Sequence, residues 1–148
     1  MSKRLLVTGA VVVAAAVPSL ALAAGTSMSP VVSSKLTGTA EVPKAGGGSG
    51  IVVFHLNAKT GRVCWAFSKV SGIGTPTAAH IHKAAAGKAG PVVVALGGAY
   101  KAGGCTKAPT KTVEAIESSP NAYYANIHTA KYPNGAIRGQ LVAGMVNG

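Results

Sequence analysis

The chain has 148 residues, 14 lysines and arginines against three acids, a formal net charge of +11 and two cysteines. It contains no aspartate, so two-carboxylate glycosidase chemistry would have only Glu41, Glu114 and Glu117 to draw on, which argues against it. Its length and its 48% hydrophobic content suit one domain with its own core.

Lys3 and Arg4, an apolar run over 5–17, Pro18 and then Ala21-Leu22-Ala23 have the order of a signal peptide, assigned to residues 1–23. The run is shorter than the roughly 20 apolar residues that span a bilayer, and no later segment is longer. The mature chain is therefore expected to be exported without a transmembrane segment, either secreted or associated with the cell envelope. Residues 24–32, rich in small residues and without apolar periodicity, read as a flexible lead-in, and 33–148 as the domain.

Within the domain, short alternating runs cut by Gly and Pro predict seven strands, over 35–41, 50–57, 62–70, 77–83, 91–96, 122–129 and 136–143. Ala58-Lys59-Thr60-Gly61 and Tyr132-Pro133-Asn134-Gly135 read as hairpin turns. Residues 110–118 place Val113 and Ile116 at helical spacing between Pro109 and Pro120 and predict one short helix. The Ala/Gly-rich pieces 45–50, 84–90 and 97–104 read as loops, and Gly46-Gly47-Gly48 lacks the Gly-Lys-Ser/Thr ending of a phosphate cradle. The fold class expected is all-β, an antiparallel Greek-key sandwich or barrel of immunoglobulin-like type with one short helix. Its core is expected to draw on Val53, Trp65, Phe67, Val70, Ile81, Val92, Val94, Ile127, Ile137 and Leu141.

In an exported chain, Cys64 and Cys105 are expected to pair. Such a bridge could add about 3 to 4 kcal/mol by restricting the unfolded chain. The pair lacks C-x-x-C spacing, which favours a structural bond over reactive thiols.

The chemistry concentrates in histidines. In Ala79-His80-Ile81-His82 a strand sends both imidazoles to one face, and Asn126-Ile127-His128 repeats the alternation. His80, His82 and His128 on neighbouring strands can supply three nitrogen ligands to one Cu(II) or Zn(II) ion; the competing reading has them donating to carbonyls in a polar patch. His55 reads as an exposed strand position, with a fourth ligand as the alternative. Asn126 either orients His128 or caps a loop, and Arg138 either clamps an anion or ties down loop carbonyls. No G-x-S-x-G elbow or comparable nucleophile setting supports a hydrolase, and no enzyme activity is expected. The lysines are scattered through loops without a basic helix or an aromatic platform, which speaks against specific nucleic-acid recognition and for attraction to anionic envelope polymers or an extracellular protein.

Four ordered segments, Ala79-His80-Ile81-His82, Gly90-Pro91-Val92-Val93, Tyr124-Ala125-Asn126-Ile127-His128-Thr129 and Gly135-Ala136-Ile137-Arg138-Gly139-Gln140-Leu141, together resemble the CHRD, or chordin-type, domain family. Leu36-Thr37-Gly38 and Glu41-Val42-Pro43 extend the likeness over about 35–142. The resemblance implies an extracellular immunoglobulin-like β-domain, found repeated in chordin and as a stand-alone exported domain in bacteria. His80, His82, Asn126, His128 and Arg138 match the family's motif positions and His55 does not. Two departures bear on a cation site: Ala136 stands where the family commonly has glutamate, and Lys83 where glycine often follows the second histidine.

Overall fold

The computed structural model describes residues 30–147. The leader assigned to 1–23 lies outside them. Nine strands and one α-helix follow in chain order: β1 Val31–Thr37, β2 Ser49–Asn57, β3 Arg62–Ser71, β4 Pro76–Lys83, β5 Val92–Ala95, β6 Gly103–Lys107, α1 Thr110–Ser118, β7 Tyr123–Thr129, β8 Ile137–Gln140 and β9 Val142–Ala143. Hydrogen-bonded neighbours run β5-β4-β7-β8-β1-β2-β3-β6, with β9 added to β1. Every pairing is antiparallel. The all-β expectation holds, and the sheet is nearly closed into a barrel. The segment between β5 and β6 links the two sides. Tyr100 donates its N–H to Thr77 O of β4 at 2.9 Å, and Ala102 O accepts from Phe67 N of β3 at 2.6 Å.

Alternation builds the core. Val52, Phe54 and Leu56 of β2, Val63, Trp65 and Phe67 of β3, Ala79 and Ile81 of β4, Ala125 and Ile127 of β7 and Ile137 of β8 are all buried. They share the interior with Val94, Leu96 and Leu141, and α1 packs its buried Val113 and Ile116 against β2 and β3. The Glu117 carboxylate accepts the Ala58 N–H at 3.1 Å, tying the helix to the β2–β3 turn.

Three expected core positions need correction. Val53 is only half-buried because β2 runs in the other phase. Its apolar run Ile51-Val52-Val53-Phe54 fits either phase, and His55, facing outward, decides it. Val92 is 49% exposed: the β4–β5 register shifts between Ile81 and His82, and that irregularity turns Val92 outward while Val94 stays in. Val70 is half-buried at a second irregularity, where the β2–β3 register slips and Lys69 takes a left-handed φ of 52°.

The boundaries also differ. β1 starts at Val31, inside the segment read as a lead-in, and buries Val32. The last predicted strand is two: β8 pairs with β7, then the chain turns at buried Leu141 and β9 pairs with β1. β6, over part of a segment read as loop, is an edge strand of Gly-Gly-Cys-Thr-Lys with no apolar alternation. It pairs only with β3 among the described strands, and Cys64 stands directly opposite Cys105, disulfide-bonded as expected. Trp65, adjacent to Cys64, faces the core and donates Nε1–H to Lys101 O at 3.0 Å. The helix occupies the residues predicted for it.

Candidate metal centre

Because Ala79, Ile81, Ala125, Ile127 and Ile137 take the interior, the alternate residues of β4, β7 and β8 stand on the opposite face. Register sets them in rows: Ala78 opposite His128, His80 opposite Asn126 opposite Arg138, and His82 opposite Tyr124 opposite Gln140. This outer face is not open to water. Asn126 is 1%, Arg138 4%, Tyr124 4% and His82 8% exposed, a second, polar layer beneath loops.

The loops hold the side chains through backbone carbonyls. Arg138 donates from Nε to Ala40 O at 2.6 Å and from Nη1 to Lys88 O at 3.0 Å. Gln140 donates to Ala84 O and Asn121 O at 2.6 and 2.8 Å. His82 Nδ1 lies 2.9 Å from Gly90 O, and His128 Nδ1 lies 2.9 Å from Pro133 O. A carbonyl only accepts, so each Nδ1 carries a proton, and the neutral His82 ring is left with its lone pair on Nε2. His80 Nδ1 lies 2.9 Å from His128 Nε2.

These constraints gather the three predicted histidines. Their ligand atoms all lie within 4.8 Å of one another. Tetrahedral coordination with metal–nitrogen bonds of about 2.0 to 2.1 Å sets nitrogens about 3.3 Å apart, so modest ring rotations bring the set to a shared ion. His82 Nε2 is the telling atom: it is buried and has no hydrogen-bond partner among the described residues. A lone pair so placed normally costs about 1 to 3 kcal/mol, and a metal ion would satisfy it. Asn126 Oδ1 lies 3.1 Å from His128 Nε2, at the edge of the group.

Burial also keeps the rings in the form a metal requires. Loss of solvent lowers the His80 pKa to about 4, and the neighbouring His128 and His82 act in the same direction. The His82 pKa is lowered chiefly by burial, against the bond to Gly90 and, more weakly, the nearby Asn126 side chain, which raise it. Both imidazoles are therefore neutral at neutral pH, the form in which imidazole can bind a metal.

A stability consequence follows from the sign of these shifts. Between pH 6.5 and about 4 the unfolded His80 binds a proton that the folded one does not, so this group removes stability as pH falls through that window. Glu41 acts in the opposite sense. Burial pushes its pKa up to about 7 against the pull of Arg138 and the Val42 N–H, so its contribution is complete below 4.5 and fades as pH rises through 7. In the metal-free wild type Glu41 should thus offset part of the stability that His80 and His82 remove as pH falls from 6.5 to 4.5. His80→Gln should gain on wild type by about 2 kcal/mol between pH 7 and pH 4 in urea unfolding; parallel profiles would refute this.

Arg138 occupies a place between the alternatives read from the sequence. It ties two loop carbonyls, lies 3.6 Å from the Glu41 carboxylate, with both residues buried, and covers the Tyr124 ring at 4.6 Å. Tyr124 in turn stacks on His82, with ring centroids 4.8 Å apart and planes within 7°. Sequence reasoning did not single out Tyr124, although it shares the parity of Asn126 and His128. Nor did it give Glu41 a place beside Arg138. His55 is exposed on β2, three strands from β7, and does not join the group. Lys83 is exposed and follows His82 onto the opposite strand face, and Ala136 is buried with the core.

The family model for the CHRD domain matches residues 32–141. The chain belongs to the CHRD domain family. No curated protein and no solved structure shows significant similarity to it. Within this CHRD domain the histidine group lies where three of the motif segments meet: β4 supplies His80 and His82, β7 supplies His128 and Asn126, and β8 supplies Arg138. The Gly90-Pro91 segment supplies the carbonyl that fixes His82. Among the described residues no helix is long and apolar enough to cross a membrane.

Proposed function

We propose that this CHRD domain is an exported, noncatalytic binding module that takes up one Cu(II) or Zn(II) ion through His80, His82 and His128. The observation that carries the reading is the unpartnered, buried Nε2 of His82 beside two further imidazoles whose ligand atoms lie within 4.8 Å. Asn126 orients the group beside His128, and Arg138 holds the loops over it. Export through a leader at 1–23, to the cell exterior or envelope, is supported by the signal-like start and by the Cys64–Cys105 bond, which suits an oxidising compartment. The mature unit then starts at residue 24, and its domain opens with β1 at Val31.

Calorimetric titration of the mature protein with Cu(II) and with Zn(II), beside His80→Ala and His128→Ala, tests this. The expected result is 1:1 binding at micromolar affinity or tighter, weakened about 100-fold or more in both variants. No binding, or binding indifferent to both substitutions, would overturn it.

A second reading has a basis of its own. All ten lysines of the described domain are exposed, giving a basic surface suited to anionic envelope polymers or an acidic extracellular protein. In that case association with a polyanion such as heparin disappears at high salt and is unchanged in His80→Ala.

A further inference from the structure

The barrel wall away from the histidines carries an arrangement that the metal reading does not use. Cys64 of β3 and Cys105 of β6 are directly opposed and bonded on the outer face, with Cys105 exposed and Cys64 half-buried. Arg62, two residues ahead of Cys64 on the same strand face, spans both sulfurs. Its Nε donates to Cys64 Sγ at 3.1 Å and its Nη2 to Cys105 Sγ at 3.3 Å. No carboxylate competes for this guanidinium, since the one side-chain ion pair among the described residues is Arg138–Glu41. Among the described residues β6 is also a sheet edge, with no strand beyond it to block approach.

We propose that Cys64–Cys105 is an exchange-competent disulfide, a site of reversible reduction by a dithiol, with Arg62 as the residue that stabilises the departing sulfur. The thiolate of an external dithiol attacks the more exposed Cys105 Sγ. A sulfur–sulfur bond forms between them, the Cys64–Cys105 bond breaks, and its electron pair leaves on Cys64 Sγ as a thiolate held by Arg62 Nε. The second thiol of the reagent, once deprotonated, attacks the mixed disulfide and expels Cys105 as a thiolate, which Arg62 Nη2 holds. The dithiol is oxidised by two electrons to its cyclic disulfide, the protein bond is reduced by the same two, and the reagent's two protons pass to solvent or to the protein thiolates. A cation beside the sulfurs lowers the thiol pKa, and a leaving thiol of lower pKa departs faster. The absence of C-x-x-C spacing, which favoured an inert bond in the sequence, is offset by strand register: it opposes residues 41 positions apart and adds Arg62 to them.

The test is the rate at which dithiothreitol reduces the folded mature protein at pH 7 without denaturant, followed by thiol labelling and mass, in wild type, Arg62→Ala and Arg62→Lys. Reduction of wild type is expected within minutes at millimolar reagent. Arg62→Ala should be slower by about three- to tenfold and Arg62→Lys intermediate. Equal rates in wild type and a folded Arg62→Ala, or a wild-type bond that resists reduction until denaturant is added, would overturn the proposal. If Arg62→Ala does not fold, the pH dependence of alkylation in freshly reduced wild type decides. A first inflection clearly below the ordinary thiol value of about 8.5 supports Arg62 stabilisation, and one at or above it refutes it.

Discussion

Arg138→Met is expected to lower the unfolding free energy by about 3 to 5 kcal/mol, the largest loss from any single exposed or polar-layer substitution in this domain. The guanidinium donates to Ala40 O and Lys88 O and faces the Glu41 carboxylate, with Arg138 and Glu41 only 4% and 3% exposed. Methionine matches much of the volume and keeps contact with Tyr124, but it leaves two loop carbonyls without their donor and the buried Glu41 carboxylate without its counter-charge. The charge explains a second part of the result. Because burial already holds the Glu41 pKa near 7, loss of Arg138 should be most damaging at pH 8, where the carboxylate is ionised, and milder at pH 5, where it is protonated. Combining Arg138→Met with Glu41→Gln should therefore cost less than the sum of the single substitutions, as for contacting partners in general. Urea unfolding at the two pH values measures all three variants. A midpoint for Arg138→Met equal to wild type at pH 8 would sink the account.

His82→Phe should separate stability from ligand uptake. Phenylalanine can keep the stack on Tyr124 and fill the space of the imidazole, and it removes the buried, partnerless Nε2. Against this gain stands the lost bond from Nδ1 to Gly90 O. The two effects are each about 1 kcal/mol or somewhat more and opposite in sign, so the metal-free variant should unfold within about 1 kcal/mol of wild type. Its metal binding should nevertheless be lost, because two nitrogens hold a borderline ion far less firmly than three. Wild type should also melt higher when Zn(II) is added, by the stabilisation of roughly 2.7 kcal/mol expected at 100 times the dissociation constant, and His82→Phe should not. A thermal shift of equal size in both proteins would place the ion elsewhere. A variant that fails to fold would show that the ring is structural.

Much of this architecture was legible in the sequence, and what was not has identifiable causes. Alternation of small polar and apolar residues at His80-Ile81-His82 and Asn126-Ile127-His128 assigns the core side and the histidine side together, because a strand face has a period of two. Val113 and Ile116, bracketed by prolines, mark α1 equally well. β2 was harder: valines and an isoleucine stand on both of its faces, and only His55 reveals the phase. β6 has no apolar pattern, and its pairing depends on Cys105 meeting Cys64 across a long connection. The surroundings of the histidines were less readable still. Gly90 O, Pro133 O and Lys88 O act as backbone groups, and no residue type announces a carbonyl that will face an imidazole or a guanidinium. Glu41 stands 97 positions before Arg138, and only closure of β8 against β1 brings them together.

Apart from the Glu41 carboxylate that faces Arg138, the loops above the histidine face engage it through the carbonyls of Ala40, Ala84, Lys88, Gly90 and Pro133. Anchoring of this kind depends on where the backbone runs and hardly at all on what it carries. The outward-facing side chains of these loops can therefore diverge, acquire charge or be grafted with foreign recognition residues while the floor of imidazoles stays in register, which makes this end of the barrel a natural place for new specificity to arise.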